Sequence, residues 1–200
     1  MCWFMVFIAS ILMDSPRIEL FEHFLSDREC DYIIEKGRPQ LMRSRVFTAS
    51  GEVQDNRRTS EGMFFPQNPN DPILSGIEER IASLTKIPRS HGEGIQLLHY
   101  GVGAEYQPHY DYFDCSTGGC DRGGQRVATM ILYLNDVEEG GETIFPRAKV
   151  SVKPVKGSAV LFYNCLPGGK EDPNTLHGGA PVIKGEKWIA TKWLRMGVFR

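Results

Sequence analysis

The sequence predicts a mainly β domain, an antiparallel sandwich or barrel against which two helices pack. From residue 95 onward, every apolar run is short and is bounded by turn-forming glycine, proline or asparagine. Two segments ahead of residue 95 show helical signals instead. A length of 200 residues with 41% hydrophobic content suits one domain with a sizeable core. The eight predicted strands are 95–100, 106–113, 125–134, 142–145, 149–153, 158–163, 175–182 and 187–195.

Residues 1–13 form an apolar N-terminal segment of uncertain role, and we assign the domain itself to residues 14–200. The segment is shorter than the roughly 20 residues that a membrane span needs. It also lacks a basic n-region and a clear cleavage site for a signal peptide. A truncated anchor, a packed first strand and a misassigned start are the three interpretations, so membrane contact stays an open alternative.

The first helix is predicted from Asp27 to about Gly37. Ser26 and Glu29 have the spacing of a capping box, and apolar residues follow at helical intervals. Pro39 then ends or kinks the helix, because proline cannot donate the next backbone hydrogen bond.

The segment Arg45–Phe65 is polar and contains glycine around short apolar patches. We interpret it as two short strands joined by a mobile loop.

A second helix is predicted to begin after Asp71, since aspartate is a favoured N-cap and Pro72 suits the first helical position. Apolar residues then recur at intervals of three and four until Ile87-Pro88 stops the pattern. This helix should cover one face of a sheet.

His109 and Asp111 stand two positions apart in the predicted strand 106–113. Side chains alternate between the faces of a strand, so these two should point the same way, roughly 6 to 7 Å apart along the backbone. An imidazole and a carboxylate on one face can share a divalent first-row metal, and a second histidine would complete a facial triad. His177 is the best candidate for that ligand. By the same alternation, Tyr110 should face away from the metal.

Lys187 opens the last predicted strand and shares one face of it with Ile189, Thr191 and Trp193. If that face is interior, the lysine carries a charge into mostly apolar surroundings, where an unpaired ammonium is costly. No acidic residue near it in sequence lies on the same face. A ligand carboxylate is therefore expected beside Lys187, and an acid from a distant strand is the alternative.

These residues resemble the prolyl 4-hydroxylases, which are iron(II) and 2-oxoglutarate dioxygenases. The likeness runs from about Phe21 to Arg195, and the ending LHGGAPVIKGEKWIATKW is most similar to short bacterial members. The resemblance implies a double-stranded β-helix, or jelly roll, with helices packed outside. It also implies that Arg45–Phe65 is a flap that closes over a peptide. The motifs that carry the resemblance are Tyr100, His109-x-Asp111, Arg126, EEGGET at 138–143, His177 and Lys187.

The resemblance implies that the enzyme hydroxylates proline in a peptide or protein with O2 and 2-oxoglutarate, and releases succinate and CO2. Fe(II) would be held by His109, Asp111 and His177, with L-ascorbate as the reductant. Lys187 would form a salt bridge with the far carboxylate of 2-oxoglutarate, and Tyr100 and Thr143 would donate hydrogen bonds to it. A cytoplasmic location, as in bacterial members, is expected, and the alternative is the secretory pathway or anchoring through residues 1–13.

Four residues match the peptide groove of the resembled family: Glu93, Tyr106, Arg126 and Trp193. Aromatic walls suit proline-rich chains, because the polyproline conformation is preformed and its rings stack on flat side chains. Tyr106 and Trp193 could equally be core aromatics, and Thr143 could merely finish a turn beside two glycines.

Net charge and cysteine content argue against several classes of protein. A formal net charge of −2 gives no electrostatic case for nucleic acid, and the densest basic pair, Arg57-Arg58, is expected in a solvated loop. Five cysteines without C-x-x-C spacing argue against a disulfide framework and a structural zinc site. Cys115 and Cys120 could close a small loop in an oxidising compartment, but free thiols are the favoured expectation.

Other functions fit part of this pattern. A 2-oxoglutarate dioxygenase could act on a free amino acid or a modified nucleobase, although the sequence shows no run of basic residues that would predict a basic patch for the latter. A zinc hydrolase could use the same three ligands with a bound water. A metal-free module could merely present a peptide groove.

Overall fold

The computed structural model describes residues 7–44, 46–48, 51–53, 55–67 and 70–200, which contain two α-helices and sixteen strands. The helices are α1 (Asp27–Gly37) and α2 (Pro72–Thr85). Single 3₁₀ turns lie at Arg38–Gln40, Arg89–His91, Cys115–Thr117 and Pro173–Thr175. The strands are β1 (Ile8–Asp14), β2 (Arg17–Glu22), β3 (Met42–Arg43), β4 (Val46–Thr48), β5 (Gly51–Val53), β6 (Glu61–Phe64), β7 (Gln96–Tyr100), β8 (Tyr106–His109), β9 (Arg126–Tyr133), β10 (Glu139–Gly140), β11 (Thr143–Phe145), β12 (Val150–Val152), β13 (Ala159–Tyr163), β14 (His177–Gly179), β15 (Val182–Lys184) and β16 (Lys187–Arg195).

Two antiparallel sheets form the body of the protein. The major sheet has eight strands in the order β1-β2-β13-β9-β16-β7-β6-β3, and the minor sheet has four in the order β12-β11-β14-β8. Two-stranded ribbons, β10-β15 and β4-β5, accompany them. A buried cluster with members from both sheets fills the space between them, as in a sandwich. This arrangement confirms the antiparallel sandwich that the sequence predicts and the double-stranded β-helix, or jelly roll, that the resemblance implies.

The major sheet is covered by the helices on one face and by the minor sheet on the other. The central strand β16 has residues in both buried clusters. Trp188, Ala190 and Leu194 belong to the cluster that packs under the helices, whereas Ile189 belongs to the cluster between the sheets. Side chains alternate along a strand, so the two clusters lie on opposite faces. All nine residues of β16 are consequently buried.

Both helices form where the capping signals predict them. The Ser26 hydroxyl accepts from the Glu29 amide at 3.3 Å, and the Glu29 carboxylate accepts from the Ser26 amide at 2.8 Å, which completes the capping box of α1. The Asp71 carboxylate accepts from the amides of Ile73 and Leu74 at the start of α2. Both helices bury their apolar stripes against the outer face of the major sheet.

The N-terminal part departs from expectation in its details. Residues 1–6 lie outside the described residues, but residues 8–14 form β1, the edge strand of the major sheet. The segment 45–65 contains three strands rather than two, because β6 pairs with β7. The expected loop between β4 and β5 falls at residues 49–50, outside the described residues. No helix among the described residues has the length and apolarity needed to span a bilayer.

Candidate active site

Three ligand-type side chains converge at the end of the minor sheet. His109 on β8 and His177 on β14 are register partners in neighbouring antiparallel strands. One nitrogen of each histidine and one carboxylate oxygen of Asp111 lie within 4.8 Å of one another. The predicted trio of donors is therefore brought together.

Asp111 reaches the site by a different route from the one predicted. Strand β8 ends at His109, and Asp111 lies in a bend beyond it, so the prediction of a strand through residue 113 is wrong. Side-chain interactions replace the ladder there: Tyr110 stacks on Tyr112 at 4.6 Å, and the Phe113 amide donates to a side-chain oxygen. The side chains of His109, Asp111 and His177 line one cavity. Tyr110 does not line this cavity, which agrees with its expected outward orientation.

Each histidine is oriented by a backbone carbonyl. The Nδ1 atom of His109 lies 2.9 Å from the Gln107 carbonyl oxygen, and that of His177 lies 3.0 Å from the Thr175 carbonyl oxygen. A carbonyl can only accept, so in each neutral ring Nδ1 carries the proton and Nε2 keeps its lone pair. Both Nε2 atoms lie 3.5 Å from oxygens of Asp111.

Burial and neighbouring charges shift the pKa values of His177 and Asp111 so that the protonation states that bind a metal are favoured. Burial lowers the pKa of His177 to about 4, although Asp111 opposes the shift. Burial alone would raise the pKa of Asp111, but His177 and His109 outweigh it and hold that pKa well below its usual range. A neutral imidazole and an ionised carboxylate are the forms that bind a metal.

Polar residues that the sequence did not single out hold the carboxylate of Asp111. The Thr129 hydroxyl donates to its Oδ2 atom at 2.7 Å, and the Asn164 side chain donates to Thr129 Oγ1 at 2.9 Å. Thr129 and Asn164 are completely buried. Such outer hydrogen bonds fix a metal ligand in place.

Lys187 enters the same cavity from the first position of β16, and it is 2% exposed. Burial lowers its pKa to about 8, although Glu142 opposes the shift. Among the described residues, no carboxylate lies within ion-pairing distance of its ammonium. Ile189, Thr191 and Trp193 line the cavity with it, so the predicted shared face of the strand is confirmed.

Tyr100 and Thr143 stand around the lysine. Tyr100 faces Lys187 across the β7–β16 ladder, and the ammonium lies 5.4 Å from the centre of its ring. Thr143 is 2% exposed on β11, and its Oγ1 atom accepts a hydrogen bond of 2.7 Å from the Tyr133 hydroxyl. Thr143 therefore lies in the wall of the cavity as well as beside the glycine turn.

Arg58 is a cavity residue that the sequence analysis missed. Its guanidinium donates to the side chains of Gln96 and Ser60 and lies 4.9 Å from the centre of the Tyr106 ring. The side chain is 5% exposed, so the expectation of a solvated loop is wrong for Arg58, although its neighbour Arg57 is exposed. A basic dipeptide in a polar segment carries no signal that distinguishes these two positions.

Two of the four predicted groove residues, Tyr106 and Trp193, line the cavity, whereas Glu93 and Arg126 line a neighbouring groove. Arg126 donates to both carboxylate oxygens of Glu93, at 2.6 and 2.8 Å, and its guanidinium packs 4.0 Å from the centre of the Trp193 ring. Tyr106 stacks on the His109 ring at 3.6 Å. Tyr106 and Trp193 line the cavity, which gives both aromatics a place in its wall.

Free thiols were the favoured expectation for all cysteines, and one pair differs from it. Cys115 and Cys120 form a disulfide, so the expectation of free thiols is wrong for them. Among the described residues, Cys30 and Cys165 are free. The disulfide closes a loop beside the cavity mouth, where Gly119 accepts a hydrogen bond from Arg195.

The donor set fits iron(II), because two imidazoles and one carboxylate on one side of an ion leave adjacent positions open. The buried and unpaired Lys187 fits the far carboxylate of a dicarboxylic co-substrate. Both fits rest on the arrangement of side chains in one cavity.

Known proteins are similar to this chain in sequence and in fold. A model described as the 2OG-Fe(II) oxygenase superfamily matches residues 95–195. Probable prolyl 4-hydroxylase 3 of Arabidopsis thaliana is 44% identical over 213 aligned positions, which cover 96% of this chain and 74% of that protein. Prolyl 4-hydroxylase 5 of the same plant is 41% identical and is covered over 72% of its length.

Solved structures of prolyl hydroxylases have a similar fold. The viral collagen prolyl hydroxylase of Paramecium Bursaria Chlorella virus-1, in its 2OG complex, superposes with a TM-score of 0.72 and 32% identity over 91% of this chain and 97% of that one. A Pseudomonas putida prolyl-4-hydroxylase superposes with a TM-score of 0.61 at 21% identity, so the bacterial likeness extends to the fold alone. The chain therefore belongs to the 2OG-Fe(II) oxygenase superfamily and, within it, to the prolyl 4-hydroxylases.

Proposed function

We propose that this protein is a peptidyl-proline 4-hydroxylase. It hydroxylates proline in a peptide or protein, consumes one O2 and one 2-oxoglutarate, and releases succinate and CO2. One observation carries the proposal: the histidine, aspartate and histidine donors and a buried, unpaired lysine line the same cavity. Its relatives at 41 to 44% identity are named prolyl 4-hydroxylases, which supports the choice of substrate.

His109, Asp111 and His177 hold the metal in this proposal. Iron(II), when bound, supplies the activation of O2 that is coupled to decarboxylation of 2-oxoglutarate. The protein's part is to keep both Nε2 atoms and the carboxylate aimed at one point. The Gln107 and Thr175 carbonyls do so for the imidazoles, and the Thr129 hydroxyl does so for Asp111.

Lys187, Tyr100 and Thr143 bind the co-substrate in this proposal. The ammonium forms a charge-assisted contact with the far carboxylate, in a place where water is excluded. Tyr133 already donates to Thr143 Oγ1, so the threonine proton is directed elsewhere and can be donated to the same carboxylate. These contacts select a dicarboxylate over a monocarboxylate.

Peptide binding falls to the aromatic and arginine side chains at the cavity mouth. Trp193 and Tyr106 offer flat faces on which proline rings can pack. Glu93 fixes the guanidinium of Arg126 over Trp193, and we assign these four residues to the substrate groove. Arg58, buried against Tyr106, supports the same wall.

We further propose that residues 14–200 act as one catalytic domain. The cytoplasmic location was expected, but the Cys115–Cys120 disulfide favours its alternative, an oxidising compartment such as the secretory pathway. L-ascorbate would keep the iron reduced between turnovers.

A zinc hydrolase with the same ligands is the competing function from another class. It gives no role to the buried ammonium of Lys187, which a dicarboxylic co-substrate explains. The two functions also differ in their products, since a hydrolase forms no succinate.

The test uses the full chain with iron(II), 2-oxoglutarate, ascorbate and a proline-rich peptide in air. We expect succinate formation that requires both O2 and peptide, together with a peptide mass gain of one oxygen atom located on proline. His177→Ala should abolish both, whereas His23→Ala, at an exposed site outside the cavity, should leave both unchanged. Succinate without hydroxylated proline would point to another substrate, and neither product would reject the oxygenase.

A further inference from the structure

A second, larger groove lies beside the reaction cavity. It has a volume of about 700 Å³, and we call it the basic groove. Its described lining contains four arginines and a single carboxylate side chain, that of Glu93. The residues that matter for its chemistry are Phe64, Phe113, Arg122, Arg126, Arg195 and Phe199.

Positive charge is in excess in this groove. Arg126 and Arg195 both bond to the same carboxylate, Glu93, so two cations share one anion. Arg122 stands at the exposed rim, where it donates to a terminal carboxylate oxygen of Arg200, and no carboxylate side chain in the described part of the chain pairs with it. The four arginines of the groove still outnumber Glu93 and this terminus. Burial lowers the pKa of Arg195, and the nearby Arg126 and Arg122 lower it further by repulsion. An additional anion would relieve this imbalance.

The basic groove adjoins the reaction cavity, because residues of their two walls are in contact. Trp193 lines the cavity, and the guanidinium of Arg126, which lines the groove, packs against its ring at 4.0 Å. Phe64 lines the groove and lies 6.2 Å from the same ring. A peptide with its proline in the cavity would therefore pass directly from Trp193 into the groove.

The loop closed by the disulfide forms one wall of the groove. Arg195 donates to the carbonyl oxygens of Gly119 and Gly124 at 2.9 and 2.7 Å, which holds the loop against β16. Arg122 follows this loop by two residues, and its guanidinium lies 4.3 Å from the centre of the Phe199 ring. The rim cation is thus held beside an aromatic surface rather than free in solvent.

We infer that the basic groove is a subsite for an acidic side chain of the peptide substrate, and that Arg122 selects for it. The inference rests on the proposed function and adds a sequence preference to it. A guanidinium and a carboxylate match in charge and geometry, and the flanking phenyl rings limit access of water. Because a polyproline chain is stiff, the acidic side chain should be favoured at one fixed offset from the target proline.

The test measures peptide binding directly. Fluorescent proline-rich peptides carry one Asp, Asn or Lys at each position in turn on either side of a central proline. Dissociation constants are measured on the iron(II)-loaded protein with 2-oxoglutarate under anaerobic conditions, where no turnover alters the peptide. At one position, Asp should bind about three- to tenfold more tightly than Asn, and added salt should reduce the difference.

Arg122 variants identify the selecting group. Arg122→Gln should abolish the difference between the Asp and Asn peptides, and Arg122→Glu should reverse the order so that Lys binds best. Arg28→Gln, the same charge change on the exposed face of α1, should retain the preference. An equal dissociation constant for Asp and Asn at every position overturns the inference, as does a preference that Arg122→Gln leaves intact.

Hydroxylation of the Asn peptides in air is scored separately and tests the proposed function. An Asp preference that depends on Arg122 supports the subsite even if no peptide is hydroxylated. Hydroxylation without any Asp preference supports the enzyme and rejects the subsite.

Discussion

The Thr129 hydroxyl donates a hydrogen bond of 2.7 Å to Oδ2 of Asp111, and both side chains are buried. Thr129 lies on β9 of the major sheet, whereas the histidines of the site come from the minor sheet. The carboxylate that joins the two histidines is therefore held from the opposite side of the sandwich. Several expected outcomes follow from this and related contacts.

Thr129→Val should weaken iron(II) binding about tenfold, because outer hydrogen bonds of this kind typically tune metal affinity by that order. The variant removes the donor to Asp111 and leaves the Asn164 amide without its acceptor. Titration of the apoprotein with iron(II) under anaerobic conditions measures the change. Thr129→Ser keeps the hydroxyl and serves as the matched control. Equal affinity in the valine and serine variants would contradict the assigned role.

Lys187→Ala should raise the dissociation constant for 2-oxoglutarate about tenfold or more, since a charge-assisted contact in a buried pocket is lost. Iron affinity should change little, because Lys187 is not among the three donors. The charge-transfer absorption of the iron(II) protein on titration with 2-oxoglutarate reports the binding. Lys184→Ala, at an exposed lysine paired with Glu138, is the control. Unchanged co-substrate affinity in Lys187→Ala would remove this residue from the site.

Binding of 2-oxoglutarate should weaken as the pH rises above about 8, the lowered pKa of Lys187. Below that pH the lysine is already an ammonium and binds the carboxylate without taking up a proton. Above it the free protein carries a neutral amine, so each bound co-substrate must recruit a proton, and affinity falls by up to about tenfold per pH unit. Lys187→Arg, which stays charged, should show no such fall. A flat profile in the unmodified protein would contradict the assignment.

The double variant Cys115→Ser, Cys120→Ser should bind peptide about two- to tenfold more weakly, because the loop must then be ordered on binding. The loop contributes Gly119 to the groove wall and accepts from Arg195 there. Affinities for iron(II) and 2-oxoglutarate should be unchanged, as neither ligand set includes the loop. Cys165→Ser, at a free cysteine, is the control. A loss of co-substrate binding would show instead that the disulfide supports the whole domain.

The convergence of His109, Asp111, His177 and Lys187 in one cavity was predictable because their chemistry is unusual for the places they occupy. A lysine that opens a strand buried on both faces is costly, and this predicted a binding role that the cavity now accommodates. Asp111 does lie beside both histidines as expected, but the expected strand is wrong there, since β8 ends before it and a bend delivers its carboxylate.

Three residues beside the site were not predicted, because nothing in the local sequence marks them and only the fold brings them there. Thr129 and Asn164 are 35 positions apart and meet only because β9 and β13 are neighbours. Arg58 is buried through contacts with Gln96 and Tyr106, 38 and 48 positions away. No local pattern encodes such contacts, because they depend on which strands the fold sets side by side.

Strand β16 carries Lys187 at its first position and Trp193 near its last, roughly 20 Å apart along an extended chain. β7 and β9 flank this strand and fix its register from both sides. Neither end can slide relative to the other, so the spacing between the proposed co-substrate anchor, Lys187, and the proposed substrate wall at Trp193 is fixed. Trp193 is the register partner of Thr129, whose hydroxyl holds Asp111. Changes at Trp193 would therefore reach the carboxylate of the site as well as the peptide, whereas the surroundings of Lys187, six positions away, would be spared.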